Sequence, residues 1–396
     1  MDVWPQAIQR HGDLVETRVR LEIQGRGQEI LSYRLPAEHE ASLTESADPF
    51  VIGLVFVAMR RGVDLHMHGT VSPSLLRNLE EFQAAWHCWY PERYQRIEIQ
   101  ADTEREELIA PGEVAAMMFS GGLDSCFTAW RHTQGLCGRR RRNLKSAVMA
   151  HGFDIPIDEH EVFERAAGNS RQLAASVGLE LIPVTCNIRQ FEDNWQMTHG
   201  TGLASCLHLL RKRFSVGLVA ASHVYDRLRF PWGSNSVTDP LLSSASLAIV
   251  YDGGEVSRRE KARAVAGWDE AMARLRICWE GEQKDRNCGK CLRCVGTAIC
   301  FAAENKSLPT SIPISSLEAA IGGLNSKQLN PVAVTRLEEL LEAARTAGIK
   351  LPWVMALEYC IQLQRTTPAL PPSRITARLR KGIRRLLSGA PHRKDA

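Results

Sequence analysis

Residues 114–134 read VAAMMF, SGGLDS and CFTAWRHTQ in direct succession. The first six are apolar and short enough for a buried strand, the glycines break any regular period, and the last nine space their apolar residues as a helix does. A strand that turns through glycines into a helix opens an α/β crossover unit. The pattern repeats downstream. SAVMAHGF (146–153) reads as a second strand, EVFERAAGNSRQLAASVG (161–178) as a helix ended by Gly178, and LELIPVTCN (179–187) as a third strand. SVGLVAASH (215–223) supplies a fourth and SLAIVYDG (246–253) a fifth. Such alternation predicts an α/β fold, a doubly wound parallel sheet with helices on both faces, whose ligands bind at the C-terminal strand ends.

Upstream the pattern differs. TRVRLEIQGRGQEILSYRL (17–35) alternates around Gly25 and Gly27 as two strands, and PFVIGLVFVAMRRG (49–62) reads as a buried helix. DLHMHG (64–69) is a short strand, Ser72 and Pro73 open a helix carrying Leu76, Leu79, Phe82 and Trp86, and RIEIQA (96–101) is another strand. This sets the expected division: an N-terminal mixed α/β module (1–110), the α/β domain (111–305), a helical C-terminal region (306–370) and a basic tail (371–396). The tail holds eight Lys or Arg against Asp395 alone, so the chain's net charge of +4 sits on an otherwise acidic body. Arg139, Arg140, Arg141, Arg142 and Lys145 form a second basic segment. Ile375, Leu379 and Ile383 would give the tail one apolar helical face, suited to anionic lipid, nucleic acid or an acidic partner; a solubilising tail is the alternative. The opening MDVWPQAIQRHGDLVE has no apolar core of a secretory signal, and no run of about 18 apolar residues occurs. A cytoplasmic address is therefore expected, where cysteines serve as metal ligands, nucleophiles or buried hydrophobes before disulfides.

Ser120, Gly121, Gly122, Leu123, Asp124 and Ser125 form the candidate phosphate loop. Its glycines let the backbone approach a phosphate, Ser120 and Ser125 offer hydroxyl donors, and the following helix presents free N–H groups and its positive dipole end. It is not the lysine-bearing P-loop, since no GxxxxGK[ST] occurs. Asp124 either holds Mg²⁺ beside the phosphates or caps the helix.

Cys278, Cys288, Cys291 and Cys294 lie within RICWEGEQKDRNCGKCLRC. Two successive CxxC steps curl a knuckle at Gly289, and a fourth thiolate upstream completes a four-cysteine set for Zn²⁺. An iron–sulfur cluster is the competing occupant.

The SGGLDS loop resembles the signature of the PP-loop ATP pyrophosphatase (adenine nucleotide α-hydrolase-like) superfamily. With Cys278-Trp279-Glu280-Gly281 and the knuckle Cys288–Cys294, the stretch from Val114 to Glu304 resembles the 7-cyano-7-deazaguanine synthase family. The resemblance implies an ATP-dependent ligase forming C–N bonds: an oxygen of a carboxylate or carbonyl attacks the α-phosphate of ATP, pyrophosphate leaves, and ammonia replaces AMP. Ser120, Asp124 and Ser125 would serve the chemistry, with ATP, Mg²⁺ and Zn²⁺ as cofactors. It also implies that His151 and Gly152 lie at the adenine or ribose, that Arg258 compensates phosphate charge, and that Trp232, Gly233, Ser234 and Asp239 border the acceptor. The chain departs from the family at His151-Gly152-Phe153-Asp154, where a GQRH-like sequence is expected, and at Thr297, where an arginine usually stands. The acceptor, a small molecule or a group borne on a macromolecule, is not specified. Two alternatives remain open at this level: sulfur transfer, raised by Cys126, Cys186 and Cys206, and a non-catalytic nucleotide-sensing protein.

Overall fold

The computed structural model describes residues 1–23, 27–107, 112–228 and 230–366. Gly25 and the basic tail lie outside them. Contacts divide the chain into a unit from Met1 to Ser315 and a second from Ser316 onward.

The first unit is built on one mixed sheet. Its strands in chain order are β1 (Asp2–Pro5), β2 (Gln9–His11), β3 (Leu14–Ile23), β4 (Gly27–Pro36), β5 (Leu65–Val71), β6 (Ile99–Glu104), β7 (Ala115–Met118), β8 (Leu144–His151), β9 (Glu180–Cys186), β10 (Val216–Ala220) and β11 (Ala248–Asp252). Its helices are α1 (Asp48–Arg61), α2 (Pro73–Trp89), α3 (Leu123–Thr133), α4 (His160–Ala175), α5 (Trp195–His208), α6 (Arg258–Val265), α7 (Asp269–Arg274) and α8 (Leu292–Ala303). The strand order is β11-β10-β7-β8-β9-β4-β3-β1-β5-β6, with β2 on β3. Strands β11 to β9 run parallel, as the sequence leads one to expect. The chain starts this half at β7, winds outward through β8 and β9, then returns to the other side of β7 for β10 and β11. The direction of winding reverses between β7 and β10, and the crevice at such a reversal is where doubly wound sheets bind ligands. Ser120–Ser125 follows β7 at that point.

The expected seam near residue 110 is not a seam in the sheet. β4 pairs antiparallel with β9 through Tyr33↔Cys186 and Arg34↔Thr185, so the N-terminal strands extend the parallel half sideways. Tyr33 donates to Ser205 Oγ at 3.0 Å. Arg211, fully buried, reaches Asp48, Glu107 and Ser72 across the same junction. An isolated guanidinium there would be prohibitively costly, so these partners hold the two sequence segments together. Helix α1 is buried on nearly every face, from Asp48 to Met59, and packs on α5. A helix apolar all round is a core element, which is why its sequence shows no amphipathic period. β1 escapes a reading by pattern because it is four residues ending in Pro5.

In the second unit, α9 (Leu317–Gly322), α10 (Pro331–Thr346) and α11 (Pro352–Thr366) pack through Ile321, Leu337, Leu341, Leu357 and Ile361. This is the helical C-terminal region. No helix among the described residues is long and apolar enough to cross a membrane.

Candidate functional site

The loop after β7 has the geometry its glycines require. Gly121 sits at φ 72°, and a β-carbon there would meet Ser170 of α4 and the Arg276 side chain. Ser120 Oγ and Ser125 Oγ lie 3.3 Å apart, Gly122 N donates to Ser120 Oγ at 3.3 Å, and Ser125 Oγ donates to Gly122 O at 3.1 Å. The first amides of α3 lie at a helix start, where intrahelical bonds cannot reach them.

Four cations surround this loop. Ser257 and Glu260 form a reciprocal capping box that starts α6, and α6 packs on α3. This places Arg258 and Lys261, three apart and so on one face, against Asp124. Arg258 Nη1 is 3.1 Å from Asp124 Oδ2, and Lys261 Nζ is 3.2 Å from Asp124 Oδ1 while donating to Ala221 O at 2.6 Å. Burial works against the charge on Asp124, but Arg258 and then Lys261 hold its carboxyl below the usual range. Arg276 donates from its backbone N–H to Gly121 O at 2.8 Å and from Nε to Ser120 O at 3.3 Å. Arg293 lies over the Trp279 ring at 4.5 Å, and its charge adds to those of Arg258 and Lys261 in holding the Asp124 carboxyl low. Four cations gathered at one loop favour an anion there.

Of these, the sequence singles out Arg258. Lys261 is three residues on in SRREK, Arg276 stands two before the first cysteine, and Arg293 sits inside the last CxxC. Their positions carried no recognisable signal without the loop to which they converge.

The cysteine cluster is assembled. Cys278 Sγ and Cys291 Sγ are 3.7 Å apart, Cys288 Sγ and Cys294 Sγ 4.0 Å, and all four lie within 4.8 Å of one another. The amides of Lys290 and Cys291 donate to Cys288 Sγ, and that of Cys294 to Cys291 Sγ. Gly289, at φ 69°, lies so close to Pro313 that a β-carbon would sit 2.5 Å from its carbonyl oxygen. Asn287 ties the two halves together: its Oδ1 accepts from Ile277 N and Cys278 N, and its Nδ2 donates to Leu275 O and Ser311 O. The cluster could hold a metal such as zinc. Arg276 and Arg293 belong to the same segments, so the knuckle and the loop are one construction.

His151, Gly152, Ser234 and Asp239 are engaged by the structure immediately around them. The His151 ring is buried, bonded through Nε2 to Pro156 O at 2.9 Å and stacked on Phe163 at 4.3 Å, so that nitrogen is already engaged. Gly152, at φ 99°, lets β8 and β9 close, since a β-carbon would stand 2.1 Å from Cys186 O. Gly152→Ala is expected to cost about 3 kcal/mol or more, read from denaturant unfolding; a loss below half of that would contradict the steric account. Ser234 Oγ donates to Asp239 Oδ2 at 2.6 Å and Asn235 N to Asp239 Oδ1 at 2.9 Å, so both acidic and hydroxyl groups are spent inside their loop. Gly233 packs on His199, and Trp232 stands edge-on to His223 at 5.0 Å.

Asp239 is pushed up to about 7 by burial. An unfolded aspartate titrates near 4, so between those values the folded state holds the extra proton. The stability this group contributes is complete below about pH 4 and is lost as pH rises through about 7. Asp239→Asn is expected to flatten that decline in urea unfolding measured from pH 5 to pH 8. An unchanged pH slope would contradict it.

The basic segment 139–145 is largely engaged. Arg140 pairs with Glu255 at 2.6 Å, Arg141 Nε donates to His132 O, and Arg142 pairs with Glu113 at 2.9 Å. Cys126, Cys186 and Cys206 are buried, and burial raises each thiol pKa. Comparison with protein-family models, with curated proteins and with solved structures gives no match.

Proposed function

We propose that the chain is an ATP-dependent enzyme of the PP-loop type, similar to 7-cyano-7-deazaguanine synthases, that adenylates a carboxylate or carbonyl oxygen and lets ammonia replace AMP. The observation that carries this reading is the Ser120–Ser125 loop at the reversal of strand winding, with Arg258, Lys261, Arg276 and Arg293 converging on it. Fixed donors and converging cations, Lys261 among them buried, suit a reaction whose main demand is to stabilise charge on a leaving pyrophosphate. The acceptor oxygen attacks the α-phosphate, the bond to the β,γ-diphosphate breaks, and ammonia then displaces AMP from the activated carbon. The loop amides and the four cations hold the diphosphate through this sequence. Asp124 pairs with Arg258 and Lys261 and so positions both cations beside the loop.

Phe153, Trp195, His199 and Trp232 stand on the same sheet end, with Phe153 4.6 Å from Trp195 and His199 5.8 Å from Trp232. These rings suit a flat, conjugated acceptor. The sulfur spacing of the four cysteines suits zinc. A single ion with Zn–S bonds near 2.3 Å separates its thiolates by about 3.8 Å, in line with the 3.7 and 4.0 Å pairs. A multi-iron cluster would spread them further. Buried, hard-to-ionise thiols near the loop weigh against sulfur transfer, because the thiolate is the reactive form.

The test is release of AMP and pyrophosphate from ATP–Mg²⁺ in the presence of ammonia and a panel of aromatic carboxylic acids. Acid-dependent release of both is expected. Release of ADP and phosphate, or of neither product across the panel, would contradict the reading.

A further inference from the structure

The N-terminal edge of the sheet carries a second set of metal-ligating side chains. His66 and His68 lie two apart on β5 and so project from one face. Asp2 on β1 is the direct register partner of His66. Asp2 Oδ1 is 3.1 Å from His68 Nε2 and 3.8 Å from His66 Nδ1, and donor atoms of the three lie within 4.8 Å of one another. A tetrahedral zinc ion at its usual bond lengths holds neighbouring N and O donors about 3.3 Å apart. The set therefore needs only small side-chain shifts to close on an ion.

The other nitrogen of each ring is also accounted for. His66 Nε2 is 3.0 Å and His68 Nδ1 3.4 Å from Asp102 Oδ1 on β6. If an ion takes His66 Nδ1 and His68 Nε2, both remaining N–H groups face one carboxylate. That is the outer-shell arrangement that fixes tautomer and ring orientation in histidine metal sites. The His68 ring is further held by stacking on Trp4 at 4.8 Å and 5°, and Arg20 covers the far face of Trp4 at 3.9 Å. The side chains of Asp2, His66 and His68 are 48%, 39% and 25% exposed, so an ion has an entry path from solvent.

We propose that Asp2, His66 and His68 bind a divalent transition ion of the zinc class, with Asp102 as the residue that orients both imidazoles. Bound there, the ion would join β1 to β5 and, through Asp102, to the neighbouring β6. This site is independent of the cysteine knuckle and of the nucleotide reading.

The experiment is calorimetric titration of the purified full chain with Zn²⁺ alone, with metal content counted beforehand. One equivalent beyond that held by the cysteines is expected. The double variant His66→Ala/His68→Ala, and separately Asp2→Asn, should lose that equivalent while keeping the cysteine-bound one. Asp102→Asn should weaken it about 10–100-fold. Titration with Co²⁺ gives a second readout, since this equivalent should develop visible d–d absorption with no thiolate charge-transfer band. Absence of the extra equivalent in the unmodified chain, or its survival in both His66→Ala/His68→Ala and Asp2→Asn, would overturn the proposal.

Discussion

Lys261→Met is expected to lower ATP turnover by about 10²–10³-fold, about 2.7–4 kcal/mol of transition-state stabilisation. Methionine fills the space of the lysine stem, so packing among α3, α6 and the β10 end is retained while the charge is removed. Lys261 is 2% exposed, and its ammonium is held between Asp124 and Ala221 O. A cation fixed in a water-poor site acts on developing phosphate charge far more strongly than one in solvent. Asp124 retains Arg258 as partner, so the variant is expected to melt close to the unmodified chain. Pyrophosphate release at saturating ATP separates the effects. Turnover within threefold of the unmodified chain would show that Lys261 serves only the fold.

Cys291→Ser is expected to have the second large effect, and to act at a distance. Cys291 Sγ lies 3.7 Å from Cys278 Sγ, accepts the Cys294 amide and caps α8. Loss of one of four thiolates should release the ion and several kcal/mol of folding free energy with it. Arg276 then loses its fixed place between Gly121 and the knuckle, and Arg293 its place over Trp279. ATP affinity should fall at least tenfold, although residue 291 touches no nucleotide. Chelation of the unmodified chain should reproduce this, and readdition of Zn²⁺ reverse it. Metal loss with unchanged ATP affinity would separate the knuckle from the loop and contradict their coupling.

How far the residues alone carried this picture differs by region. The parallel half was legible because each strand is a short apolar run followed by a helix, an alternation that implies parallel pairing. The knuckle was legible because metal ligation needs four thiolates at short spacing. The single sheet was not, since the β4–β9 pairing depends on two strand edges more than 150 positions apart, as with Tyr33 and Cys186. Sequence position alone suggested roles at the nucleotide for His151 and in the acceptor pocket for Ser234 and Asp239. His151 bonds Pro156 O and Ser234 bonds Asp239, each within its own loop, because a buried polar atom needs a partner and the nearest lies within the turn. Lys261, Arg276 and Arg293 went unmarked for the converse reason: a lone cation in a helix or knuckle acquires meaning only when folding brings others to the same point.

We propose that Ser120–Ser125 and the four cations bind the polyphosphate of ATP. Calorimetric titration of the full chain with ATP–Mg²⁺ and, separately, with AMP tests it most directly. ATP should bind at least tenfold more tightly than AMP, and Lys261→Met should erase most of that difference. Equal binding of ATP and AMP, or no binding of ATP, would contradict the account.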